Sequence, residues 1–174
     1  MMSFWMLVLT AVYFFLPAYA ANMAPELVKW IPWKTPIWKK KLGNHKTWKG
    51  LIVGTLMGGV VFLLQKWLFQ FGIFYKISLI DYADFSIMLG LLLGLGALIG
   101  DSIESYYKRK RKIKPGESWM PWDQLDFVIG GVVLGWLVYI PKIEIVLVLL
   151  IVSPFLHAGA SRVGYWLKIK KTKF

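Results

Sequence analysis

Hydrophobic positions along this chain fall into long blocks rather than alternating with polar ones. Four runs are long: Phe4–Ala20, Leu51–Phe71, Phe85–Ile99 continuing to Tyr107, and Ile143–His157 continuing to Leu167. A bilayer core takes roughly 20 apolar residues as a helix. A fifth run, Leu125–Ile140, is shorter; it opens with a polar turn and stops at Pro141. The pattern predicts an all-α integral membrane protein with five transmembrane helices, residues 1–174 forming a single membrane domain. Its main connections would be loops at about 23–50 and 108–124 and a tail at about 168–174.

Charge then sets the orientation. Between the first and second runs lie Lys29, Lys34, Lys39, Lys40, Lys41, Lys46 and Lys49. Counted in chain order, between the third and fourth spans lie Lys108, Arg109, Lys110, Arg111, Lys112 and Lys114, and after the last span come Lys168, Lys170, Lys171 and Lys173. The alternate connections hold only Lys76 and Lys142. Cations collect on cytoplasmic loops, so the N-terminus is expected outside and the C-terminus in the cytoplasm. This placement accounts for a net charge of +12 without nucleic acid as a partner. Ala18–Ala20 has the small-residue look of a signal-peptidase site, but no Lys or Arg precedes the first run. It is read as a retained helix.

Composition narrows the chemistry. The chain is 57% hydrophobic and has no Cys, which excludes disulfides and thiolate metal sites. Small residues four apart let helix backbones approach closely, and Gly50, Gly54 and Gly58, Gly90 and Gly94, Gly96 and Gly100, and Gly131 and Gly135 have that spacing. Close packing within the chain or a homodimer would each use it. Trp30, Trp33, Trp38, Trp48, Trp119, Trp122, Tyr165 and Trp166 fit interfacial belts. His45 and His157 have no second ligand at metal-binding spacing and are read as structural.

One stretch is dense in charge. Gly100–Phe127 holds Asp101, Glu104, Glu117, Asp123 and Asp126, five of the nine acidic residues. If the third helix continues through it, Asp101, Ser105, Lys108 or Arg109, and Lys112 share one face. A carboxylate at membrane depth costs about 2.5–3.5 kcal/mol on insertion scales, so it normally has a partner or a metal. Cations one or two turns away suit phosphate oxygens. Asp123 and Asp126, three apart after a Lys114-Pro115-Gly116 turn, can face the same way. With Asp101 they make an all-oxygen site of the kind Mg²⁺ accepts alongside substrate phosphates. The bland alternatives are that Asp123 and Asp126 satisfy a helix N-terminus and that Lys108–Lys114 only marks the inner face.

The motif is specific. Gly100-Asp101-x-x-Glu104-Ser105-x-x-Lys108-Arg109, a turn with Pro, then Asp123-Gln124-Leu125-Asp126 resembles the CDP-diglyceride synthase family. That family has Arg where this chain has Gln124, and its Pro-Gly-His-Gly-Gly segment is missing here. In its short length, its Asp-Gln-Leu-Asp-Phe and its Lys46-Thr47-Trp48-Lys49-Gly50, the chain is similar to the small archaeal branch, the CDP-archaeol synthases. The resemblance implies a Mg²⁺-dependent nucleotidyltransferase. It would move a cytidylyl group from CTP to the phosphate of an isoprenoid ether lipid, at the cytoplasmic face of the cell membrane. It implies Asp101, Asp123 and Asp126 as metal ligands, with Lys108 and Arg109 completing the catalytic set. Lys46, Thr47, Ser105, Lys112 and Gln124 would contact substrate. Glu104 would stand behind the ligands or in a plain ion pair.

Other classes fit less well. A CDP-alcohol phosphotransferase needs an Asp-Gly motif and acids four apart, which are absent. A transporter would carry ionisable residues at mid-helix, where this chain is almost uncharged. A scaffold binding anionic lipid explains the cations but not Asp101, Asp123 and Asp126.

Overall fold

A computed structural model describes residues 3–114, 117 and 119–166. The Pro115-Gly116 turn and the tail lysines from Lys168 onward lie outside the described residues. The helices are α1 (Phe4–Leu27), α2 (Lys39–Leu42), α3 (Trp48–Leu68), α4 (Gly72–Ile77), α5 (Met88–Lys110), α6 (Trp122–Gly135) and α7 (Ile143–Trp166), with a 3₁₀ turn at Tyr82–Asp84. Among the described residues there is one isolated β-bridge, Pro36 to Thr47, and no strand.

Four helices, α1, α3, α5 and α7, are long and apolar enough to cross a membrane. The fifth expected span is different. α6 has 14 residues and ends at Gly135, short of Ile140, where the backbone tightens into turns such as Leu137 N–H to Leu134 O and Val138 N–H to Gly135 O. At 1.5 Å per residue it covers about 21 Å, less than a bilayer core.

α1 forms the centre. Ser3 caps it by accepting from Met6 N–H, and Ala11, Phe15, Ala18, Ala21 and Ala24 are buried along it. It packs against α3, α5 and α7, so the first apolar run forms part of the core. The glycines expected to allow close approach are all consumed within the chain. Gly54 faces Ala21 and Leu98, Gly58 faces Gly90 and Gly94, and Gly96 faces Gly130 and Gly131. Gly50 lies on Pro25, and Gly135 lies on Leu93. This use gives no support to a dimer. Lipid replaces water on the far faces: Ile52, Leu56, Val60 and Leu63 form an exposed stripe on α3, and Ile143, Leu147, Ile151 and Phe155 form another on α7.

Two proline-bearing turns of α1 show how backbone groups are satisfied without water. Pro17 has no N–H, so Tyr13 O loses its helical donor; Gln65 Nε2 of α3 supplies one at 2.5 Å. Pro25 frees Ala21 O in the same way, and Gly54 of α3 lies against that oxygen. At the same end Lys49 is buried and donates to Val28 O and Ile31 O, both at 2.9 Å, closing the C-terminus of α1. These contacts run α1 and α3 antiparallel. They gather the end of α1, the start of α3, the end of α5 and the start of α6 at one end of the bundle.

Candidate active site

The site starts from Gly100. A Cβ there would sit on the Asp126 carbonyl oxygen and beside Gly130 Cα. Its absence lets α6 press against α5 where the charged stretch begins. That contact brings Asp126 to the α5 turn carrying Asp101 and Glu104. Carboxylate oxygens of Asp101, Glu104 and Asp126 all lie within 4.8 Å of one another.

The neighbours of this trio are cations from two directions. Lys46, 55 residues earlier in the chain, forms an ion pair with Asp101. Lys108, one turn beyond Glu104, is 3.3 Å from Glu104 Oε1 and 2.9 Å from Asp123 Oδ1. As ionised groups, four carboxylates face two ammonium groups, an excess of two negative charges. Hard oxygens with net negative charge suit a divalent cation. Glu104 Oε1 and Asp123 Oδ1 are both buried without a hydrogen-bond donor, each facing Lys108 at ion-pair distance. The donor set is compatible with a divalent cation.

Asp123 stands outside the trio. Its Oδ2 accepts from Trp119 N–H at 2.8 Å, fixing the turn before α6, while Oδ1 takes Lys108. Asp123 and Asp126 are nearly one turn apart on α6, and the closest helix contact falls at Asp126, so Glu104 rather than Asp123 completes the group. Only the i, i+3 spacing of Asp101 and Glu104 signalled this.

The other expected residues are distributed around these. Thr47 accepts from Gly50 N–H at 3.1 Å and caps α3. Ser105, Arg109 and Gln124 are half-buried near the ends of α5 and α6. Lys112 is exposed and has a left-handed backbone, φ 60°. Ile113 N–H bonds Lys108 O at 3.0 Å and Lys112 N–H bonds Arg109 O at 3.1 Å, the paired closure of a helix C-terminus.

Two cavities flank the carboxylates. A polar one of about 210 Å³ is lined by His45, Lys46, Thr47, Asp101, Ser102 and His157, among others. An apolar groove of about 510 Å³ runs along α5 and α6 from Arg111, Trp119 and Trp122, past Glu104 and Asp126, to Val133 and Leu134. Arg111 lies 4.8 Å above the Trp119 ring at its rim. The cavity role of His157 and the Arg111–Trp119 stack had no signal in the sequence.

The family model described as CarS-like, CDP-archaeol synthase, matches residues 4–174. A CDP-archaeol synthase of Methanoregula boonei is 35% identical over 76% of this chain and 81% of its own. One from Methanocaldococcus jannaschii is 30% identical over 96% of this chain and 97% of its own. A solved structure of an intramembrane enzyme for archaeal membrane lipid biosynthesis superposes with a TM-score of 0.69 at 25% identity. It covers 86% of this chain and 91% of the other.

Proposed function

The chain belongs to the CDP-archaeol synthase family, and on that premise we propose that its two substrates meet at Asp101, Glu104 and Asp126 from opposite sides of α5. The reaction is cytidylyl transfer from CTP to an archaeal lipid phosphate, forming CDP-archaeol in membrane lipid biosynthesis. A scaffold or transporter is not favoured. The lipid phosphate is already an anion, so no strong base is required. Its oxygen bonds to the α-phosphorus of CTP as the bond to the β-phosphate breaks and pyrophosphate leaves. The barrier lies in bringing anions together and in the charge of the leaving group.

The polar cavity suits the triphosphate. Lys46 lines it with an ammonium, and the Thr47 hydroxyl, which accepts from Gly50 N–H, keeps its own proton to donate. The apolar groove, open along α5 and α6, suits an isoprenoid chain toward Val133 and Leu134 whose phosphate would lie beside Glu104 and Asp126. Asp101, Glu104 and Asp126 would hold Mg²⁺, which supplies Lewis-acid polarisation and charge neutralisation on phosphoryl oxygens. Lys108, held between Glu104 and Asp123, presents a fixed positive charge, and Asp123 positions it. Arg109 and Lys112, further along toward the loop, add positive potential for the triphosphate, with Ser105 and Gln124 as adjacent polar groups. In this reading α6 with its flanking turns makes the fifth crossing. The cation-rich end, which carries the site, faces the cytoplasm, and the N-terminus lies outside.

The observation that carries the reading is the convergence of three carboxylates between one polar and one apolar cavity. The test supplies detergent-solubilised protein with α-labelled CTP, Mg²⁺ and unsaturated ether-lipid phosphate, and follows label into the organic phase. Asp126→Asn should cut kcat by about two to three orders of magnitude. Full activity in that variant would end the metal assignment and leave the reaction standing.

A further inference from the structure

Lys46 sits on a residue that the metal reading needs. Its ammonium pairs with Asp101, one of the three carboxylates placed to hold a divalent cation, yet the same side chain lines the cavity suited to the triphosphate. Its backbone is held on both sides. Ile37 N–H bonds Lys46 O at 2.8 Å, Trp48 N–H bonds Thr35 O at 3.1 Å, and Thr47 caps α3. Only the four-carbon side chain is free to travel. Neither partner is sealed in: the side chains of Lys46 and Asp101 keep 21% and 29% of their exposure, so the pair can open into the cavity. Lys108, by contrast, is held by two carboxylates and has 12% exposure. Of the two ammonium groups at the site, Lys46 is the one arranged to leave.

We propose that Lys46 is an exchangeable counter-ion: it holds Asp101 in the empty enzyme, yields that carboxylate to a divalent cation, and turns to the phosphates of the nucleotide. This rests on the metal and nucleotide placement given above. Charge favours the exchange in both directions. A divalent cation on Asp101 takes the carboxylate oxygens that hold Lys46 and sets a like charge beside its ammonium, so the pair is weakened once the cation binds. A polyphosphate in the adjoining cavity gives it a new partner. Metal and nucleotide therefore bind with positive coupling, and linkage makes that coupling reciprocal.

The role predicts effects of opposite sign from one substitution. A residue that only binds phosphate would weaken nucleotide binding and leave metal binding alone, and a residue that only supports the fold would weaken both. In purified full-length protein without lipid phosphate, Mn²⁺ binding is read by loss of the free-ion electron paramagnetic resonance signal. Retention of labelled CTP at saturating Mn²⁺ is read by equilibrium dialysis. Lys46→Met should bind Mn²⁺ about fivefold or more tightly than wild type and CTP about tenfold more weakly, within the usual range of such coupling. Lys46→Gln should reproduce both changes, and Lys46→Arg should follow wild type for Mn²⁺. Unchanged or weaker Mn²⁺ binding in the methionine and glutamine variants overturns the exchange while leaving the site reading intact. Mn²⁺ binding that survives Asp126→Asn overturns the metal reading and the exchange with it.

Discussion

α5 shows two faces that differ in chemistry while sharing every turn. Leu98, Asp101 and Ser102 border the polar cavity, whereas Ile99, Ile103, Tyr107 and Arg111 border the apolar groove, which has more than twice its volume. The 3.6-residue period separates the two sets. Gly100, Glu104 and Asp126 lie partway along the groove, and the Glu104 and Asp126 carboxylates are within 4.8 Å of that of Asp101. One helix thus keeps a water-like compartment and a lipid-like compartment apart, with carboxylates as the partition. A reaction between a soluble triphosphate and a membrane-bound phosphate needs that arrangement, because neither substrate has to leave its own solvent.

The largest disturbance would come from closing the contact that both faces depend on. Gly100→Leu places a side chain on the Asp126 carbonyl and Gly130. It should lower the melting temperature in detergent by the equivalent of about 3 kcal/mol, with loss of both Mn²⁺ and CTP binding. Gly72→Ala, where an added Cβ meets nothing within 4 Å, is the control and should melt as wild type. A smaller change should separate the faces. Ile129→Trp fills the groove from α6 and should raise the KM for lipid phosphate about tenfold while the KM for CTP stays put. A matching rise in both constants would mean that the groove and the polar cavity are not independent. The smallest effect concerns the end of α5. Lys112→Gly relieves a left-handed backbone and should stabilise the protein by less than about 1 kcal/mol. Any accompanying rise in the KM for CTP reports how far the Lys112 side chain serves the triphosphate.

Much of this was legible in the residues themselves. Block hydrophobicity marks α1, α3, α5 and α7, because each must exclude water over nearly its whole length. Glycine spacing marks the seams, because only a missing Cβ lets Gly96 meet Gly130. The limits of α6 were not legible: its apolar run goes on to Ile140 although the regular helix ends at Gly135, and hydropathy does not see hydrogen bonds. The carboxylate cluster was legible as a neighbourhood but not in its membership. Asp123 and Glu104 are equally acidic on paper. Only the contact at Gly100 decides that Glu104 faces Asp126 while Asp123 turns to Lys108 and Trp119. Lys46 could be tied to Asp101 only through the fold, because 55 residues separate them.

Pro17 has an effect well beyond its own turn. By withdrawing a donor from Tyr13 O, it leaves a carbonyl that hydrocarbon cannot solvate, and Gln65 answers it. Sliding α3 by one turn against α1 would strand both groups in oil. A defect in one helix therefore acts as a docking mark for its neighbour, fixing how far up the bundle α3 begins and with it the height at which Lys46 reaches Asp101.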